Sequence, residues 1–174
     1  MEEKFLQIYK YGEDVLKLKA KNIKDINGKI AALIKQMTAT MYYTKNAIGL
    51  AAPQVGRSLQ LSVIDLSFGE KKEEFTVLIN PEIIESEGEE AGDEGCLSLP
   101  GITIPVKRKT KLLLKYFDMD GKEQQREFED FKARVIQHEV DHLDGVLILD
   151  RVSSLKKQMV KKEIKRLKKD GIWK

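Results

Sequence analysis

Histidine and cysteine are scarce in this chain: two of the first and one of the second among 174 residues. A lone thiol cannot close an internal disulfide, so nothing implies an oxidising compartment. A site built from three imidazoles is excluded outright. Long apolar runs are missing too, and none approaches the roughly 20 residues that span a bilayer. The opening Met1-Glu2-Glu3-Lys4 is too acidic and too poor in apolar residues for a secretory leader, so the cytoplasm is the expected compartment. No repeat, low-complexity tract or Pro/Gly/Ser-rich linker divides the chain, and residues 1–174 are expected to form a single domain.

What is present is the composition of a folded globular protein, 41% hydrophobic and 34% charged, long enough to bury a sizeable core. The net charge of +3 is unevenly spread. Residues 155–174, a basic C-terminal helix and tail, carry nine basic side chains against two acidic ones, which leaves the rest at −4. Such a run is either a solvated helix face or a surface for a polyanion.

Apolar residues at i, i+3/i+4 spacing (Ile26, Ile30, Leu33, Ile34, Met37, Met41) predict a helix from about Asp25 to Tyr43. The small apolar segment 47–54 reads as a packed loop or short strand. Strand-like runs follow at Leu59–Leu66, Phe75–Ile79, Glu82–Glu85, Lys111–Phe117 and Gln124–Phe128, with a hairpin turn at Asp118-Met119-Asp120-Gly121. A second helix is bracketed by Asp130 as N-cap and Gly145 as its stop, with Phe131, Val135, Ile136 and Leu143 buried. After the short apolar stretch Val146–Leu149, Ser153 or Ser154 caps a last helix whose apolar stripe is Leu155, Met159, Ile164 and Leu167. The expected fold is α+β: mostly antiparallel strands around a central helix, plus a C-terminal helix.

That second helix contains His138-Glu139-Val140-Asp141-His142, an H-E-x-x-H pattern. Residues four apart share a helix face, so both imidazoles can reach one ion, and Glu139 can act on a water bound there. A catalytic site needs a third protein ligand beside an open position. Cys96, in Glu94-Gly95-Cys96-Leu97-Ser98, is favoured as a soft ligand, with Gly95 allowing close backbone approach. Glu163 is the alternative, as in a small zinc peptidase, although its lysine-rich setting reads as surface ion pairing. A metal-stapled binding module with a tail for nucleic acid is a third, non-enzymatic reading.

Three segments together resemble the peptide deformylase family: Gly49-Leu50-Ala51-Ala52-Pro53-Gln54, Glu94-Gly95-Cys96-Leu97-Ser98 and Gln137-His138-Glu139-Val140-Asp141-His142-Leu143-Asp144-Gly145. They stand in the family's order and spacing, and the similarity extends over nearly the whole chain up to the C-terminal helix. The resemblance implies a hydrolase that removes the formyl group from formyl-methionyl nascent polypeptides. It further implies that formate would leave after attack by a metal-bound hydroxide. Cys96, His138 and His142 would hold one divalent ion, Fe(II) natively, with Zn(II) or Ni(II) able to replace it. Glu139 would take the water's proton and pass it to the departing amine. The side-chain amide of Gln54 and the backbone N–H of Leu97 would meet the developing negative oxygen. Glu94 would pair with Arg108 to brace the cysteine loop.

Ile48, Gly49, Val135 and the aliphatic stem of Arg134 are the expected walls of an apolar slot for the methionine side chain. One position departs from the family pattern, which commonly has glycine where this chain has Ala47; a methyl there would narrow the groove or shift a strand. The resemblance implies formyl-methionyl peptides as partners, and the basic C-terminal helix suggests contact with ribosomal RNA. No membrane partner is implied.

Overall fold

The computed structural model describes residues 5–44 and 46–173, with the side chain of Glu73 left aside. Helix α1 (Gly28–Tyr43) begins later than its apolar spacing suggested, because Asn27 is the cap. Its side-chain oxygen accepts from the backbone N–H of Lys29 at 3.0 Å and of Ile30 at 3.4 Å, so Asp25 and Ile26 stay outside the helix. Leu33, Ile34, Met37 and Met41 pack with Leu50, Leu61, Val63, Val77 and Ile79 as one core.

Strands β1 (Gly49–Ala51), β2 (Leu61–Asp65) and β3 (Phe75–Glu87) lead to a hairpin of β4 (Glu90–Gly95) and β5 (Thr103–Arg108), then to β6 (Lys111–Phe117) and β7 (Glu123–Glu129). Five of them form an antiparallel sheet in the order β1-β2-β3-β6-β7, and β4 with β5 makes a separate two-stranded sheet. The turn at Asp118–Gly121 joins β6 to β7 as its sequence predicts.

Phe75–Ile79 and Glu82–Glu85, expected as separate strands, are one strand interrupted by register shifts. Asn80 makes this workable. It adopts a left-handed backbone (φ 50°), and its side chain bonds both the N–H and the C=O of Ile23 at 2.8 Å. The β4–β5 hairpin was not expected at all. Glu90–Gly95 has no apolar alternation, and in β5 only Ile104, Val106 and Arg108 turn inward.

Helix α2 (Asp130–Leu143) carries the H-E-x-x-H pattern on one of two faces. Ala133 and Ile136, with Val140, pack on Ile64, Leu78, Leu112 and Leu114 of the sheet. Phe131, Val135, His138 and His142 follow i, i+4, i+7, i+11 along the other face. Two expectations need correction here. The cap position falls on Glu129, not Asp130, and no side chain caps it. Phe131 is exposed, not core, because it lies on the face turned from the sheet. Gly145 does stop the helix, in a left-handed conformation (φ 72°) where a Cβ would lie 2.7 Å from the carbonyl carbon of Lys17.

Helix α3 (Ser154–Lys169) starts at the cap Ser153, which accepts from Lys156 N–H. It buries Val160, Ile164 and Leu167 against Leu99, Ile102, Ile104, Val106, Ile148 and Leu149. Leu155 and Met159, expected in that stripe, are exposed. Val160 takes their place, since the i, i+4, i+7 row runs 160, 164, 167. Among the described residues, no helix is long and apolar enough to cross a membrane.

Candidate metal centre and active site

Two elements distant in sequence meet at this site. Helix α2 presents His138 and His142 one turn apart, and the loop that joins β4 to β5 presents Cys96. His138 Nε2 lies 3.2 Å from His142 Nε2, which lies 3.3 Å from Cys96 Sγ. The donor atoms of all three residues fall within 4.8 Å of one another. A tetrahedral ion with bonds of about 2.0–2.1 Å to nitrogen and about 2.3 Å to sulfur separates its donors by about 3.3–3.6 Å. The residues therefore fit a divalent cation.

The electrostatics agree with the geometry. Burial, and after it the neighbouring His138, holds His142 well below the usual histidine range, which keeps its ring neutral and able to ligate. Burial also pulls on His138, but hydrogen bonds to Cys96 and Glu94 outweigh it and raise the ring well above that range. The surroundings favour positive charge at this point.

Glu94 Oε2 is 3.0 Å from His138 Nδ1. Arg108 donates to Glu94 twice at 2.8 Å, from Nε and Nη2, and Arg134 Nη1 adds a bond at 3.0 Å. Burial pushes the Glu94 carboxyl up, yet Arg108 and His138 bring it down to about 2. Arg108 Nη1 also donates to Asp141 at 2.6 Å, and Arg151 holds Asp141 through Nε at 2.9 Å and through Nη2. A chain of charge thus runs from His138 through the buried Glu94, Arg108 and Asp141 to the exposed Arg151. Its Glu94–Arg108 link was foreseen, and its Asp141–Arg151 link was not.

Glu139 is 3% exposed, and its Oε2 has no hydrogen-bond partner. Burial raises its carboxyl to about 7. Gly49 makes room for it: a Cβ there would overlap Glu139 Oε1 and stand 2.9 Å from its Cδ. Gly95 has no such restriction, since its Cβ would meet nothing closer than the Ile102 carbonyl oxygen at 3.8 Å.

Gln54 sits in the single turn of 3-10 helix Ala52–Val55 and is almost fully buried. Its Oε1 accepts from Ala51 N–H at 2.9 Å. Its Nε2 therefore points to the cysteine loop, 3.2 Å from Ser98 Oγ and 3.5 Å from Cys96 Sγ.

A cavity of about 660 Å³ opens over these groups. Ile48, Gly49, Arg134 and Val135 border it, as do Gln54, Cys96, Leu97, His138 and Glu139. Only the stem of Arg134 is available as a wall, because its guanidinium is engaged by Glu94 and by the carbonyls of Glu90 and Val106, each of these at 2.8 Å. Ala47 is buried beside α1 and also borders the cavity, so its methyl occupies space at the groove. Phe131 and Ile102 border it as well, and neither was expected to. The helical spacing of Phe131 to Val135 and His138 was the signal available for the first. Glu163 is not part of the group; it lies on α3, exposed, paired with Arg166 at 2.5 Å.

The polypeptide deformylase family model matches residues 5–158. The peptide deformylase of Thermodesulfovibrio yellowstonii is 50% identical over 160 residues, covering 92% of this chain and 96% of that protein. That of Acidobacterium capsulatum is 45% identical over 166 residues, covering 95% and 97%. Among solved structures, a peptide deformylase from Legionella pneumophila matches with a TM-score of 0.90 at 37% identity, over 98% of this chain and 99% of its own. One from Synechococcus elongatus, in complex with actinonin, matches at 0.83 and 39% identity, over 94% and 90%. With both sequence and fold aligned over nearly their full lengths, this chain belongs to the polypeptide deformylase family.

Proposed function

We propose that this chain is a metal-dependent amide hydrolase that removes the formyl group from the N-terminus of formyl-methionyl nascent polypeptides, as one catalytic domain. The observation that carries this reading is the convergence of Cys96, His138 and His142 with the unpartnered carboxylate of Glu139 over one cavity. Cys96, His138 and His142 would hold a divalent cation, and that ion would supply the Lewis acidity that lets water act as a nucleophile near neutral pH. Fe(II) is our assignment for the native ion, and a site of one thiolate and two imidazoles also suits Zn(II) or Ni(II).

Glu139 takes the proton as water adds to the formyl carbon, and its carboxyl near 7 suits a base that must later act as an acid. Negative charge building on the formyl oxygen is met by Gln54 Nε2, already oriented by Ala51, and by the backbone N–H of Leu97. The C–N bond then breaks, Glu139 returns the proton to the amine nitrogen, and formate leaves. Ile48, Gly49, Val135 and the Arg134 stem form the wall for the methionine side chain. Such an enzyme works where chains emerge from ribosomes in the cytoplasm, and the basic α3 offers phosphate-binding charge for that encounter.

Anaerobically purified protein, loaded separately with Fe(II), Ni(II) and Zn(II), should release formate from formyl-Met-Ala-Ser. Air should inactivate the iron form as Cys96 or the iron oxidises. Folded, metal-loaded protein that releases no formate would overturn the reading.

A further inference from the structure

The family model ends at residue 158, yet the tail beyond it reaches back to the cysteine loop. Helix α3 closes with Asp170 as cap and Gly171 in the left-handed region (φ 74°). Gly171 N–H bonds Lys168 O at 3.2 Å and Ile172 N–H bonds Leu167 O at 3.0 Å, a paired closure that reverses the chain. Trp173 is thereby returned to the body of the protein. Its indole N–H donates to Pro100 O at 2.8 Å, while Lys168 Nζ lies 5.1 Å from the ring.

Pro100 and Gly101 border the cavity, in the same loop as Cys96 and Leu97. The two halves of that loop are held differently. Ser98 and Leu99 are fully buried, Gln54 donates to Ser98 Oγ, Tyr11 N–H to Ser98 O, and Leu99 N–H to Cys96 O. The half that carries the thiol therefore has hydrogen-bond anchors independent of Trp173, and Leu99 packs on α3 besides. Pro100 is only half-buried and Gly101 is exposed, with Leu167 against it.

We propose that Trp173 is a positioning residue for peptide binding: its indole N–H pins Pro100 and so sets the cavity rim formed by Pro100 and Gly101. The proposal rests on the deformylase reading for its kinetic consequence. Its effect falls on substrate binding, because the thiol half of the loop has its own anchors.

Trp173→Phe keeps the ring and removes the N–H. Amide exchange at Ile102, whose N–H bonds Leu99 O at 3.1 Å, should accelerate in this variant, with exchange in α2 and metal content unchanged. On formyl-Met-Ala-Ser its KM should rise about three- to ten-fold with kcat within about two-fold of the parent, as for loss of one hydrogen bond. Trp173→Ala should raise KM further. The chain has one tryptophan, so the fluorescence of Trp173 in the parent should shift as Met-Ala-Ser is added. Unchanged exchange at Ile102, or kcat falling as KM stays constant, would overturn the proposal. A parent protein inactive on formyl-Met-Ala-Ser would overturn the reading of function instead, and the exchange data would still decide whether Trp173 holds the loop.

Discussion

Glu94 and His138 are joined on the side of the imidazole turned away from Cys96 and His142: Glu94 Oε2 lies 3.0 Å from Nδ1, while Nε2 faces His142. This contact fixes which ring nitrogen is left to ligate. Glu94 can do so because two arginines hold its carboxylate in place.

Glu94→Gln should weaken metal retention by about 10–100-fold, the usual effect of losing a ligand's orienting partner. Arg108 and Arg134 would also lose part of their countercharge, so stability should fall, by up to about 3–5 kcal/mol for a broken buried pair. Competition with a chelator and thermal unfolding of the metal-loaded protein measure the two effects. A variant that holds metal as tightly as the parent would contradict the orienting role.

Cys96→Ser tests the third ligand directly. The hydroxyl is a poor replacement for a soft thiolate, so bound metal should drop to a small fraction of the parent's on elemental analysis. Glu163→Ala should leave it unchanged, since that carboxylate is exposed and paired with Arg166.

Glu139→Gln separates binding from chemistry. Metal content and fold should persist, because Glu139 is not a ligand, while formate release should fall by about 10²–10⁴-fold. Normal turnover in this variant would remove Glu139 from the mechanism.

Gly49→Ala places a methyl where the Glu139 carboxylate now lies. Displacing that carboxylate by about 1 Å should cost on the order of 10² in kcat with the metal retained. Steady-state kinetics with matched metal content reads it.

Asp150 supplies a pH dependence away from the candidate metal site. Burial opposes its ionisation, but Lys157 and Lys17, each at 2.6 Å, and Leu147 N–H outweigh it and hold the carboxyl at about 2. An unfolded aspartate titrates near ~3.9. The stabilisation is therefore complete above about pH 4 to 5 and is lost as pH falls toward 2. Because the group is partly solvated, we expect about 1 kcal/mol. Asp150→Asn should be less stable than the parent by that amount at pH 7, and the gap should close in unfolding experiments near pH 2.

Much of this is legible in the sequence because it depends on near neighbours in the chain. His138, Glu139 and His142 share a helix face by spacing alone, Asp118–Gly121 turns a hairpin by composition, and Lys111–Phe117 alternates as a strand. Where a signal was read too simply, a second surface was the cause. Phe131 is apolar and was assigned to the core, but helix periodicity places it with Val135 and His138 over the cavity. Leu155 and Met159 looked like a buried stripe, and Val160 supplies the buried turn instead.

By itself, then, the sequence determined the spacing of the two imidazoles, the carboxylate beside them and the family these motifs belong to, because each follows from local backbone geometry or from order along the chain. Only the tertiary structure decided that Cys96 meets His142 across 46 positions, that Arg108 bridges Glu94 to Asp141, and that Trp173 returns to Pro100. Those contacts depend on how a hairpin whose first strand lacks apolar alternation and a lysine-rich helix fold back on the same core. No local periodicity encodes such a closure.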